Sequence, residues 1–171
     1  MNRILTSTLL IAALAVSACT NPDRFGADGM NGGGTMAPGG MIPGSANDPS
    51  STAYFQQAVG DRVLFEVNQS NLTPAGQATL DGQATWLITN IDYQAIIEGH
   101  ADEQGTREYN VALGARRANA AREYLISRGV AGNRLRVVSY GKERPIEVCS
   151  AEACYAKNRR AVTVLAGGLS S

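Results

Sequence analysis

From Asp61 to Val67 the chain reads DRVLFEV, in which polar positions alternate with β-branched, aliphatic and aromatic ones up to the polar turn NQSN. That alternation predicts a strand. Thr73-Pro74 supplies an N-cap followed by proline at the first helical position. Leu80, Ala84, Leu87, Ile88 and Ile91 then recur at helical spacing, predicting an amphipathic helix. QAIIEGH, Gln94–His100, is a short buried strand. A second helix is predicted from about Arg107 to Arg128, with Leu113, Ala120, Ala121, Tyr124 and Leu125 on one face and Gly129 as its stop. RLRVVSYG is a third strand, AEACYAKN a short helical turn, and RRAVTVL the last strand. The order β-α-β-α-β-(α)-β predicts an α/β domain (an α+β sandwich) over residues 54–171, its helices packed on a sheet that is at least partly parallel. Trp86 is expected to plug the core from the first helix.

Before Tyr54 this periodicity is absent. MNRILTSTLLIAALAVSAC has one positive charge, Arg3, then an uncharged apolar run to Val16 and small residues before Cys19. Residues 1–18 therefore read as a secretory signal; the run is shorter than the roughly 20 residues of a transmembrane helix. The alternatives are a retained anchoring helix or an ordinary signal ending at Ala18. VSAC resembles a bacterial lipobox, which implies cleavage before Cys19 and a diacylglycerol on its thiol, a durable anchor once several acyl chains are present. Thr20 follows where an aspartate would imply inner-membrane retention, so outer-membrane sorting is expected. Pro22 to Thr52 holds eight Gly and four Pro and no Leu, Val, Tyr or Trp. Residues 19–53 thus read as a lipidated cysteine and a disordered linker. Such a linker would average roughly 30–35 Å end to end and reach about 115 Å when straight.

Charge narrows the function. Lys+Arg and Asp+Glu balance at 15 each, so no basic field exists to draw in nucleic acid. With Cys19 given to the lipid, Cys149 and Cys154 remain. In an exported protein a disulfide is the favoured reading over two free thiols or a metal site, which would need more ligands nearby. Its short loop makes the entropic gain about 2 kcal/mol.

The stretch EGHADEQGTREYNVALGARRANA, Glu98 to Ala120, places Asp102, Glu103, Gly105 and Thr106 where a strand runs into a helix, the position at which α/β sheets gather ligands. Asn68 to Asn71 occupy the equivalent turn after the first strand. Asn110 and Arg117 project from one helical face with Leu113 between them. Asp102 and Arg117 would thus flank one small cleft. Three readings compete. One is an ion pair that pins a loop to a helix. Another is an enzyme or metal site using His100, Asp102 and Glu103, which lacks a nucleophile elbow and a second histidine. The third is a binding site for a zwitterion, whose ammonium and carboxylate would match the carboxylate and the guanidinium.

EGHADEQGTREYNVALGARRANA, VVSYGKERP and YAKNRRAV together resemble the peptidoglycan-associated lipoprotein family of Gram-negative bacteria, with its OmpA-like domain, over about residues 61 to 165. The resemblance implies helices on a mixed four-stranded sheet and non-covalent binding of peptidoglycan through meso-diaminopimelate, with no catalysis and no cofactor. It carries the ligand-pairing roles onto Asp102 and Arg117, supporting roles onto Asn110 and Leu113, and weaker ones onto Asn68 and Asn71; Gly105 and Thr106 join the candidate site by their place in the turn. Many relatives have "FD" and a second aspartate where Val67-Asn68 and Asn71 stand, so two negative charges are missing here. The implied setting is the outer membrane, domain facing the periplasm, in the Tol-Pal system with TolB as a partner and a role in envelope integrity and cell division. A wall-binding module of another envelope machine, or an envelope hydrolase, are the alternative classes.

Overall fold

The computed structural model describes residues 42–167. The signal, Cys19 and the first part of the linker lie outside the described residues. Within the described residues, a helical turn Thr52–Tyr54 (α1) runs into a π-helical segment Phe55–Gly60, followed by β1 (Arg62–Leu64), α2 (Pro74–Thr89), β2 (Gln94–His100), α3 (Arg107–Ser127), a 3₁₀ turn Gly132–Arg134, β3 (Leu135–Gly141), α4 (Glu152–Asn158) and β4 (Arg160–Ala166). The sheet order is β1-β4-β2-β3. β2 and β3 run parallel, while β4 is antiparallel to both β1 and β2. The helices thus pack on a mixed four-stranded sheet, an α/β fold.

The predicted helices begin where their caps require. Thr73 Oγ1 accepts from Gly76 N (3.0 Å) and Thr106 Oγ1 from Tyr109 N (3.2 Å), each satisfying one of the otherwise orphaned first-turn amides. Gly129, at φ 101°, ends α3 in the left-handed region where glycine carries no Cβ penalty. Leu80, Ala84 and Leu87 bury on one side of α2, and Ala118, Ala121 and Leu125 on one side of α3; with Ile97 and Val63 they build one apolar core. Gly99 in β2 lets α3 approach closely: a Cβ there would fall 1.8 Å from Gly114 O.

Several expectations need correction. Ile88 and Ile91 remain 47% and 71% exposed. α2 ends at Thr89 and Asn90 leaves helical geometry, so the apolar stripe outlasts the helix. The first strand stops at Leu64 rather than Val67. Phe65 N still reaches Arg159 O (2.9 Å), but β1 is an edge strand, and beyond Phe65 the carbonyls of Glu66 and Gln69 are bound by a side chain of α3 instead. The stretch read as the end of the linker packs against the domain. Trp86, 5% exposed, sits between Phe55 and Tyr93 at centroid distances of 4.9 and 5.0 Å. Its indole N–H donates to Pro49 O (2.7 Å), and Tyr93 OH donates to Ser50 O (3.2 Å). A buried indole N–H needs an acceptor, and the backbone before Tyr54 supplies it. Cys149 and Cys154 are joined by a disulfide across a Cα–Cα distance of 6.0 Å, tying the start of α4 to the preceding loop.

Candidate functional site

The C-terminal end of β2 and the turn beyond β1 lie side by side, and Arg117 joins them. Its side chain is wholly buried. Nε donates to Gln69 O (2.8 Å), Nη1 to His100 O (2.9 Å) and Nη2 to Glu66 O (3.2 Å), and the guanidinium lies 5.3 Å from the Phe65 ring centroid. Burial lowers its pKa to about 10, opposed by the nearby Asp102 carboxylate, so it stays cationic at neutral pH. The guanidinium expected to face a cleft opposite Asp102 is therefore turned inward, where it satisfies three carbonyls that the ended strand cannot.

Asp102 pairs with another arginine. Its Oδ2 accepts from Arg159 Nη1 (3.2 Å) and its Oδ1 from Gln104 N (3.2 Å). Arg159, 3% exposed, also donates from Nε to Phe65 O (3.2 Å) and holds Glu152 of α4 by both terminal nitrogens. That double contact holds the Glu152 carboxyl below the usual range and raises the arginine further. A cleft of about 290 Å³ opens beside Arg159, between Glu66 and Thr73 on one side and Glu152 and Ala156 on the other.

The other predicted residues surround this cluster. Asn110 is 1% exposed; its Nδ2 donates to Gln104 O (2.8 Å), while its buried Oδ1 has no partner. Gly105, at φ 93°, makes the turn that a side chain would strain, and Thr106 caps α3 behind it. Leu113 is buried beneath. Asn68 adopts φ 55°, one of the few side chains suited to it, and its Oδ1 accepts from Tyr109 OH (3.4 Å). Asn71 is exposed and makes no side-chain hydrogen bond among the described residues. The turn after β2 is braced from outside: Lys142 Nζ donates to Gly105 O (2.7 Å) and Tyr155 OH to Glu103 Oε1 (2.8 Å). A larger depression of about 520 Å³ on the outer face of α3, along Arg107, Val111 and Ala115, touches none of these residues.

His100 is buried with neither ring nitrogen hydrogen-bonded, and its Nε2 lies 3.7 Å from Glu98 Oε2. Burial, with Arg160 and Arg144 nearby, lowers its pKa to about 4, so the ring is neutral at physiological pH. Sequence reasoning missed Arg159 and Glu152. The available signal was the pair Arg159-Arg160 at the entry to a strand: adjacent side chains point to opposite faces, and an arginine turned inward must find acceptors, whether carboxylates or carbonyls.

A mixed four-stranded sheet packed by helices, with polar clusters at the strand-to-helix turns, is the architecture of an OmpA-like domain. The OmpA family model matches residues 64–159. Over 158 residues the chain is 49% identical to the peptidoglycan-associated lipoprotein of Rhizobium meliloti strain 1021, covering 92% of this chain and 85% of that one. Against the peptidoglycan-associated lipoprotein of Mesorhizobium japonicum it is 47% identical over 161 residues, covering 92% and 89%. The crystal structure of the peptidoglycan-associated lipoprotein from Burkholderia pseudomallei superposes with a TM-score of 0.63 at 36% identity, covering 71% of this chain and 98% of that one. The chain belongs to the OmpA family and, within it, to the peptidoglycan-associated lipoproteins. It is a binding protein and not an enzyme.

Proposed function

We propose that this protein is anchored in the outer membrane by a lipid on Cys19 and binds peptidoglycan non-covalently through meso-diaminopimelate. The domain faces the periplasm and tethers the membrane to the wall within the Tol-Pal system, with TolB as partner, supporting envelope integrity and division. The observation that carries the reading is the cluster at the end of β2. Asp102 and Glu152 share Arg159, Arg117 lies just beneath, and the unpartnered Oδ1 of Asn110 leaves an acceptor in the same turn. Paired charges of both signs, with Asp102, Arg117 and Arg159 already buried and held by backbone contacts, suit the end of a ligand that carries an ammonium and a carboxylate together. The names of the relatives support the wall as its source. Asp102 is the residue proposed to meet the ammonium, with Asn110, Gly105 and Thr106 shaping the turn around it and Asn68 and Asn71 lining the approach. Arg117 acts from below, by its field and by fixing both turns.

The test is calorimetric titration of the full chain, in detergent micelles, with muropeptides whose stem ends in meso-diaminopimelate or in lysine. Selective binding of the first, lost in Asp102→Ala with the circular dichroism spectrum unchanged, is the expected result. Equal affinity for both muropeptides, or undiminished binding by Asp102→Ala, would refute the zwitterion clamp.

A further inference from the structure

We infer that Glu152, on α4, sets the site's preference for a ligand ammonium by neutralising Arg159 and so leaving the Asp102 carboxylate its charge. This rests on the zwitterion reading given above and assigns a positioning role to a residue outside the two turns. Arg159 sits between two carboxylates. Glu152 engages both of its terminal nitrogens, whereas Asp102 receives one bond, from Nη1 at 3.2 Å. Nε is committed to Phe65 O. The arginine's charge is therefore met chiefly by Glu152, and Asp102 is held in place without being fully paired.

Net charge sets which ligand the cluster accepts. With Glu152 present the cluster holds two carboxylates, Asp102 and Glu152, against two buried guanidiniums, Arg117 and Arg159. That balance accepts an ammonium and a carboxylate at once. Without the Glu152 charge the cluster is positive by one unit, and Arg159 turns its whole attraction onto Asp102. Other acids are not placed to replace it: Asn68 and Asn71 are neutral, Glu103 is held by Tyr155, and Glu66, which lines the same cleft, forms no ion pair with Arg159. Glu152 itself has a side chain 65% exposed and reaches Arg159 from the cleft side, so it can tune the site without forming part of the folded core. α4 is short, and the Cys149–Cys154 disulfide fixes its first turn to the loop before it, which holds Glu152 at its post.

The experiment compares wild type, Glu152→Gln and Glu152→Asp as full chains in detergent micelles. The ligands are the meso-diaminopimelate muropeptide and the same muropeptide acetylated on the diaminopimelate ammonium. Glutamine keeps the shape and one acceptor oxygen for Arg159 but removes the charge and the second acceptor. Losing one unit charge a few Å from the ligand ammonium in partly hydrated protein is worth on the order of tenfold. Glu152→Gln is accordingly expected to bind the free muropeptide about tenfold more weakly than wild type while binding the acetylated one equally, and Glu152→Asp to keep the wild-type preference. Equal weakening toward both ligands would show a merely structural α4 and overturn the inference, as would unchanged binding in Glu152→Gln or a lost preference in Glu152→Asp. A wild-type protein that ignores the free muropeptide would instead overturn the zwitterion reading itself, and this inference with it.

Discussion

Arg159 Nη1 lies 3.2 Å from Asp102 Oδ2, and the two residues are 57 positions apart. The contact ties the turn after β2 to the junction of α4 and β4, so the carboxylate at the centre of the site is held by a residue from the far end of the fold. Arg159→Ala would leave Asp102 Oδ2 and Phe65 O without their side-chain donor and Glu152 without its partner. Removing one member of a largely buried pair costs about 3–5 kcal/mol, and the exposed Glu152 moderates this, so a loss of about 2–4 kcal/mol is expected. Exposed Arg116→Ala should stay within about 0.5 kcal/mol. Urea unfolding of both variants checks the contrast.

Arg117 presents a different problem, because its three acceptors are all backbone carbonyls. A methionine fills the space and abandons Gln69, Glu66 and His100 together. Each buried group left unpaired costs about 1–3 kcal/mol, although the outer two can recruit water. Arg117→Met should therefore lose about 3 kcal/mol or more and free the turn at residues 66–69. Hydrogen exchange should then quicken at Gln69 N, whose bond to Glu66 O closes that turn. Exchange unchanged there would mean that the turn holds without the guanidinium.

Much of this architecture was readable from the chain, and the exceptions share a cause. Caps at Thr73 and Thr106, the glycine stop at 129 and the short apolar run in QAIIEGH act locally, so the elements they delimit fall where expected. Spacing on one helix also brought Asn110, Leu113 and Arg117 to a common buried face. What local pattern cannot encode is which distant group a buried charge will meet. Arg117 and Arg159 both stood in motifs that drew attention, yet only the three-dimensional fold decides that the first takes carbonyls and the second takes Asp102. The same holds for Trp86, whose burial was legible and whose acceptor, Pro49, was hidden in a segment of linker-like composition.

Close packing of α3 on β2 gives a paired prediction. An alanine at Gly99 would drive its methyl into the backbone of Gly114, with 1.8 Å to the carbonyl oxygen, and backbone cannot swing away as a side chain can. Overpacking costs about 1–3 kcal/mol and occasionally more; Gly99→Ala belongs at or above the top of that range. Gly82, inside α2, meets only Val59 Cγ1 at an ordinary 3.5 Å. There alanine gains helix propensity, and Gly82→Ala should stabilise by about 0.5–1 kcal/mol. Thermal unfolding midpoints moving in the same direction for both would refute the packing argument.

His100, the chain's single histidine, makes stability depend on pH. In the fold its pKa is about 4, whereas an unfolded chain takes up the proton near 6.5. Between those values the unfolded state binds more protons, so stability must fall as pH drops from about 6.5 towards 4 and level off from this source below it. The groups facing the ring do not reverse the sign: Glu98 is near but not bonded at 3.7 Å, while Arg160 and Arg144 oppose a second positive charge, and Tyr140 only packs at 5.6 Å. His100→Phe keeps the bulk and removes the titration. Subtracting its pH–stability curve from that of wild type should leave a slope approaching, and not exceeding, about 1.4 kcal/mol per pH unit across that window. Because both proteins retain Glu152 and the other carboxylates, acid effects common to them cancel in the difference. A flat difference curve would mean that the ring takes up its proton as readily inside the fold as outside, with water or Glu98 receiving it.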